Sequence, residues 1–256
     1  MTALILLAHG SRHPETKPVL EEVVALVREK MPLTRLDAPS QIRLAWLDLD
    51  EPSLDAVCAE LAAAGETQAL AVPLLFTDAF HSRVDVPEQV RLCNRHGVDI
   101  TVAEGLGLGD GTKRAVVKRI IEAAENASFS WPVDALVVGV GSSDEESNAA
   151  VHQFAANLGG MLPGYVSAAF VVGPEKIKGA DAVAVAQERA AKRGRGLVVV
   201  PLFTAPGLLW DRVTDAGAAA GAGQVAFGEP LAELLAPIVC CRWDSGAAYT
   251  DVQVVA

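Results

Sequence analysis

The chain has 256 residues, 51% apolar and 21% charged, with 32 acidic residues against 21 basic and a net charge of −11. That length suits one large domain or two of about 125 residues, and the composition excludes disordered and collagen-like chains. The acidic excess disfavours nucleic acid as a partner, because phosphate binding draws on a basic surface. No apolar run reaches the roughly 18–20 residues of a membrane span, and Ala3–Ala8 has neither the length nor the preceding basic residue of a signal peptide; a cytoplasmic protein with no membrane partner is expected.

The unbroken apolar run Leu4–Ala8 predicts a strand buried on both faces, as in a parallel sheet. Between Glu15 and Lys30, the residues Val19, Leu20, Val23, Val24 and Val27 share one helical stripe, with Pro18 in the first turn where proline is tolerated. A strand at Ile42–Asp48 follows, then a helix from Ser53 burying Leu54, Val57, Cys58 and Leu61, then a strand at Ala69–Leu75. A helix around Pro87–His96, a strand at Val98–Ala103, a glycine-rich turn and a helix from Thr112 to Ala124 complete four strand–helix pairs. After a linker around Asn126–Pro132 the order restarts: strand Ala135–Val140, helix Ser143–Leu158, strand Val166–Val172, helix Ala180–Lys192 and strand Gly196–Phe203.

The repetition is also lexical. A-H-G-S at Ala8–Ser11 is answered by G-V-G-S at Gly139–Ser142, V-P-L-L-F-T at Val72–Thr77 by V-P-L-F-T at Val200–Thr204, and V-A-E-G at Val102–Gly105 by V-A-F-G at Val225–Gly228. Three matches in one order, at offsets of 131, 128 and 123 residues, predict an internal duplication. The expected architecture is α/β, with two similar lobes, residues 1–128 and 129–256. Each lobe would carry a parallel four-stranded sheet flanked by helices, with an active-site cleft between them. A duplicated chain imitates a dimer of half-length chains, so a monomer is expected.

Ligands bind open parallel sheets outside the carboxyl ends of the strands. Three polar residues fall there: His9 after the first strand, Asp48 at the end of the second, and His81 in the turn after the third. Two imidazoles and a carboxylate suit a divalent metal such as Fe(II), Co(II) or Zn(II), and either histidine can take up a proton near neutral pH. Aligning the repeats puts Val140 at His9, Val172 at Asp48 and Leu209 at His81. The second copy thus dispenses with all three polar groups, which speaks for a site in the first lobe rather than a need of the fold. Arg12, His13, Lys17, Arg83, Arg91 and Arg95 form either a local positive rim for a carboxylated ligand or scattered solvated charge. The run G-L-G-L-G-D-G at Gly105–Gly111 lacks dinucleotide-binding spacing and reads as a turn. His13, His96 and His152 have no ligand spacing, and Cys58, Cys93, Cys240 and Cys241 read as ordinary thiols.

The segments L-L-A-H-G-S-R-H-P-E at Leu6–Glu15, A-W-L-D-L-D-E-P-S at Ala45–Ser53 and V-P-L-L-F-T-D-A-F-H-S-R-V-D-V-P at Val72–Pro87 resemble the sirohydrochlorin chelatase family of class II tetrapyrrole chelatases. The resemblance implies a lyase that inserts Fe(II) into sirohydrochlorin to form sirohaem without ATP, or Co(II) on the way to cobalamin, with the metal as substrate and no permanent cofactor. It implies that His9 and His81 serve the metal and that an acidic residue after the second strand assists. Asp48 stands where glutamate is expected, with Glu51 as the alternative. Ser11, Arg12 and Arg83 would touch the carboxylates of the tetrapyrrole. Two other readings stay open: a stoichiometric metal or tetrapyrrole carrier, and a histidine phosphatase, the latter opposed by Ala8 where an arginine would precede the histidine.

Overall fold

The structure is a computed structural model that describes residues 2–31, 37–77, 86–219 and 224–246. In chain order the elements are β1 (Thr2–Ala8), α1 (Thr16–Lys30), β2 (Ile42–Trp46), α2 (Leu54–Ala63), β3 (Gln68–Pro73), α3 (Val86–Cys93), β4 (Asp99–Val102) and α4 (Asp110–Asn126). The second series is β5 (Asp134–Gly139), α5 (Glu145–Leu158), β6 (Val166–Phe170), α6 (Gly179–Lys192), β7 (Leu197–Pro201), α7 (Leu208–Ala219), β8 (Val225–Phe227) and α8 (Ala236–Ser245). These strands make two parallel four-stranded sheets in the orders β2-β1-β3-β4 and β6-β5-β7-β8. The expected α/β architecture of two like sheets flanked by helices is present, and no described helix is long and apolar enough to cross a membrane.

Burial on both faces explains why β1 reads as an uninterrupted apolar run. Ala3, Ile5 and Leu7 pack with Leu54, Val57, Cys58 and Leu61 of α2, while Leu4 and Leu6, which alternate with them, are also wholly buried. On α1, Leu20, Val23, Val24 and Val27 are buried as their spacing predicts, and Arg28 and Lys30 lie in the last turn, where cations suit the helix dipole. Ser53 caps α2 by accepting the Ala56 N–H on its hydroxyl.

β2 stops short of its expected end for a local reason. Leu47 N–H still bonds the Ala8 carbonyl, but Asp50 N–H turns back to the Asp48 carbonyl at 2.6 Å, with Leu49 between them at φ 59°. A positive φ is uncommon for a side chain such as leucine, and the turn ends β2 at Trp46 rather than Asp48. Periodicity leaves α7, β8 and α8 unassigned; the Ala and Gly run from Ala216 falls on the last turn of α7.

Compact packing divides the chain into residues 1–107 with 233–256, and residues 108–232, whereas the repeated words divide it at 128/129. The difference is two helices. α4, last of the first series, lies against β7 and β8 and buries Ala115, Val116, Ile120 and Ala123 in the second unit. α8, last of the second series, lies against β3 and α1 in the first unit. The second unit also buries a carboxylate. Asp134, its side chain 3% exposed, accepts Arg193 Nε at 2.8 Å, Arg195 Nη1 at 3.0 Å and the Tyr165 N–H at 3.1 Å.

Candidate metal-handling site

The carboxyl edge of the first sheet brings two of the expected residues together. His9 is the first residue after β1, and its Nδ1 lies 3.1 Å from Asp48 Oδ1, two residues beyond β2. The same oxygen accepts the Gly10 N–H at 3.0 Å. An ionised carboxylate can only accept, so Nδ1 carries the proton, and in the neutral ring Nε2 holds the lone pair. The His9 and Asp48 side chains are 32% and 51% exposed, while the His9 Nε2 atom itself is buried.

The backbone makes that meeting possible. A Cβ on Gly10 would collide with the Asp48 carbonyl oxygen and come within 2.9 Å of Asp50 N. Gly10→Ala should therefore cost about 1–3 kcal/mol, the usual scale of overpacking, and displace the turn that carries His9; urea denaturation of the variant checks this. Asp50 Oδ2 accepts the Ser11 N–H at 2.9 Å, and Ser11 Oγ accepts the His13 N–H at 3.1 Å, so the residues after His9 form a hydrogen-bonded turn. Ser11 is partly buried in it, whereas Arg12 is exposed. Glu51, the other candidate acid, is engaged elsewhere: its Oε2 accepts the Ser53 N–H at 2.8 Å beside the start of α2, and its carbonyl accepts Lys17 Nζ at 2.7 Å. His81 and Arg83 lie outside the described residues.

The second sheet repeats the backbone without the chemistry. Val171 N–H bonds the Gly139 carbonyl just as Leu47 N–H bonds that of Ala8, and a Cβ on Gly141 would strike the Val172 carbonyl as one on Gly10 would strike that of Asp48. Register therefore pairs His9 with Val140 and Asp48 with Val172, and both valines are exposed, at 43% and 42%. The Ser142 N–H, which matches that of Ser11, is held by Asn148 Oδ1 of α5 at 2.9 Å in place of an aspartate from the loop.

Sequence reasoning passed over Gly10 and Asp50 as shapers of this edge. The glycine had a readable signal, since G-S recurs in both copies, but nothing in the sequence tells that Asp50 rather than Glu51 holds Ser11. His96, Cys58 and Cys93 are held in structural contacts away from this edge. His96 Nε2 and Arg95 Nη2 meet Asp55 at 2.8 and 2.6 Å, and the Arg95 and then the His96 hydrogen bonds hold its carboxyl below the ordinary range. The hydrogen bond to Cys58, and then burial, push the Cys93 thiol up, as expected of an inert core thiol. Among the described residues, no group of three or more His, Cys, Asp or Glu side chains is arranged to hold a metal.

Comparison with known proteins agrees with this architecture. The CbiX family model matches residues 3–123 and 134–233. A sirohydrochlorin cobaltochelatase from Saccharolobus solfataricus is 28% identical over 131 residues, which cover 48% of this chain and 95% of that protein. A sirohydrochlorin ferrochelatase from Bacillus subtilis is 28% identical over 166 residues, 63% of this chain, and the match spans only 59% of the relative. Among solved structures, SirB from Bacillus subtilis with Fe3+ shares the fold with a TM-score of 0.72 at 22% identity, covering 96% of each chain. With the family model spanning most of both repeats, the chain belongs to the CbiX family, the sirohydrochlorin chelatases.

Proposed function

We propose that this chain inserts Fe(II) into sirohydrochlorin to form sirohaem, without ATP, and that His9, Asp48 and His81 carry the reaction. The observation behind this reading is the His9–Asp48 pair at the carboxyl edge of the first sheet, where the second sheet, in the same register, holds valines at both positions. Metallation strips water from an ion and removes two pyrrole protons from the ring. An imidazole oriented at Nδ1 by a carboxylate suits either task, holding the ion loosely or accepting a proton. Few protein ligands suit the work, since a closed set of four would trap the metal as a structural site does. His81 is the second nitrogen of the proposal, and Ser11, Arg12 and Arg83 are the proposed contacts for the carboxylates of the substrate. Metal and tetrapyrrole are substrates in this account, and no resident cofactor takes part; a cytoplasmic monomer is proposed as the active form.

Asp48 acts here by orienting His9. Asp48→Asn keeps an acceptor for the Gly10 N–H but cancels the charge that fixes the proton on Nδ1; metallation should slow about 10–100-fold, the scale of partners that orient a ligating histidine. Steady-state rates with urea denaturation as control check it, and an unchanged rate excludes the orienting role.

Insertion of Co(II) is the second reading, favoured by the cobaltochelatase match across nearly the whole of a half-length relative. The experiment is anaerobic metallation of sirohydrochlorin followed by absorbance, with Fe(II) and Co(II) offered separately. Acceleration proportional to protein supports a chelatase, and the ratio of the two rates selects the metal. If neither rate rises above the spontaneous one, the proposal fails.

A further inference from the structure

Beyond Ala8 the chain is held by side chains from the loop after β2. The Gly10 N–H goes to Asp48 Oδ1 at 3.0 Å and the Ser11 N–H to Asp50 Oδ2 at 2.9 Å, so two alternate residues of one loop accept two successive backbone donors. Donors that leave a strand ladder need such acceptors. The loop is itself closed by the Asp50 N–H on the Asp48 carbonyl at 2.6 Å, around Leu49 at φ 59°, which ties the backbones of the two aspartates together.

The second repeat solves the same problem with a different residue. Its turn copies the first: the Asp144 N–H meets Ser142 Oγ at 3.0 Å as the His13 N–H meets Ser11 Oγ at 3.1 Å, and the Glu146 N–H meets Asp144 Oδ1 at 3.1 Å as the Glu15 N–H meets His13 Nδ1 at 3.2 Å. The offset of 131 residues therefore holds into the helices and sets Lys17 of α1 at the place of Asn148 of α5. Asn148 does two things: its Oδ1 accepts the Ser142 N–H at 2.9 Å, and its Nδ2 donates to Glu175 Oε1 at 3.1 Å in the loop after β6. An ammonium has donors and no acceptor. Lys17 thus keeps only the second half of that work, donating from Nζ to the Glu51 carbonyl at 2.7 Å, and the Ser11 N–H passes to Asp50. The exchange moves the anchor of the turn from its own helix to the loop that carries Asp48.

We infer that Asp50 is a positioning residue for His9: by holding Ser11 it sets the His9–Gly10 backbone against the Asp48 loop, so that His9 Nδ1 meets Asp48 Oδ1. The inference rests on the chelatase reading, and Asn148 provides its internal control. Asp50→Ala and Asn148→Ala should each lower the melting temperature, since each leaves a backbone N–H without its acceptor. Metallation per folded protein should differ between them. Asp50→Ala should lose about 10–100-fold, chiefly in kcat, the scale of a misplaced reacting group, while Asn148→Ala should keep the wild-type rate. Asp50→Asn retains an acceptor for Ser11 and should restore the rate. Asp50→Glu, which carries the acceptor one methylene further out, should fall between, and it serves if the alanine variant does not fold. Nitrogen-15 spectra of the imidazoles, assigned with His9→Val, read the same positioning without substrate: the His9 proton should stay on Nδ1 in the wild type and in Asp50→Asn, and exchange between the two nitrogens in Asp50→Ala. Wild-type protein that does not accelerate metallation overturns the chelatase reading, and the spectra then still decide whether Asp50 positions His9. An Asp50→Asn variant as slow as Asp50→Ala, or His9 signals that are the same in Asp50→Ala as in the wild type, would overturn the inference.

Discussion

Replacing His9 with valine, the residue that the second repeat carries at the same register, should lower the rate of sirohydrochlorin metallation by about 10²–10⁴-fold, the range of a lost proton-transfer group. The fold should not suffer. A partly exposed side chain at a loop position costs roughly 0.5 kcal/mol or less when changed, and Val140 occupies the matching place in a sheet of identical order. Initial rates and urea denaturation on the same preparation separate the two effects. A variant that metallates at the wild-type rate removes His9 from the mechanism, and one that unfolds makes His9 a structural residue.

Asp134→Ala should cost stability, about 1–3 kcal/mol, because it leaves the Tyr165 N–H without its acceptor and removes the buried partner of Arg193 and Arg195, whose own side chains stay 38% and 29% exposed to water. Burial raises the carboxyl most, yet the Tyr165 N–H and the two guanidinium hydrogen bonds together hold it below its ordinary value. A carboxylate whose folded value is depressed stabilises the protein fully above its unfolded value of about 3.9 and loses that contribution as the pH falls through the folded value. Wild-type stability should therefore drop in acid more steeply than that of Asp134→Ala. Parallel denaturation curves at neutral and acid pH are the check; equal acid sensitivity in both proteins would contradict the assignment.

Much of this architecture is legible because it rests on burial. The run Leu4–Ala8 is apolar throughout since β1 is central and covered on both faces, and the α1 stripe is regular since one side of it meets the sheet. His9 and Asp48 are legible for a different reason: the duplicated chain states which polar groups the fold can do without. The rest depended on distance. Glu51 and Asp48 are interchangeable in the sequence, and only the turn at Leu49 directs Asp48 to His9 while Glu51 meets the Ser53 N–H. The placement of α4 and α8 also escapes periodicity, because an apolar stripe shows that a helix is covered and not which sheet covers it.

The measurement that tests the account most directly is the amount of metallosirohydrochlorin formed, without oxygen, by protein held far below the tetrapyrrole concentration. The account requires many equivalents of product per chain, formed faster than in protein-free solution. A reaction that halts at one equivalent per chain would make the protein a carrier, and one no faster than the spontaneous reaction would contradict the chelatase assignment outright.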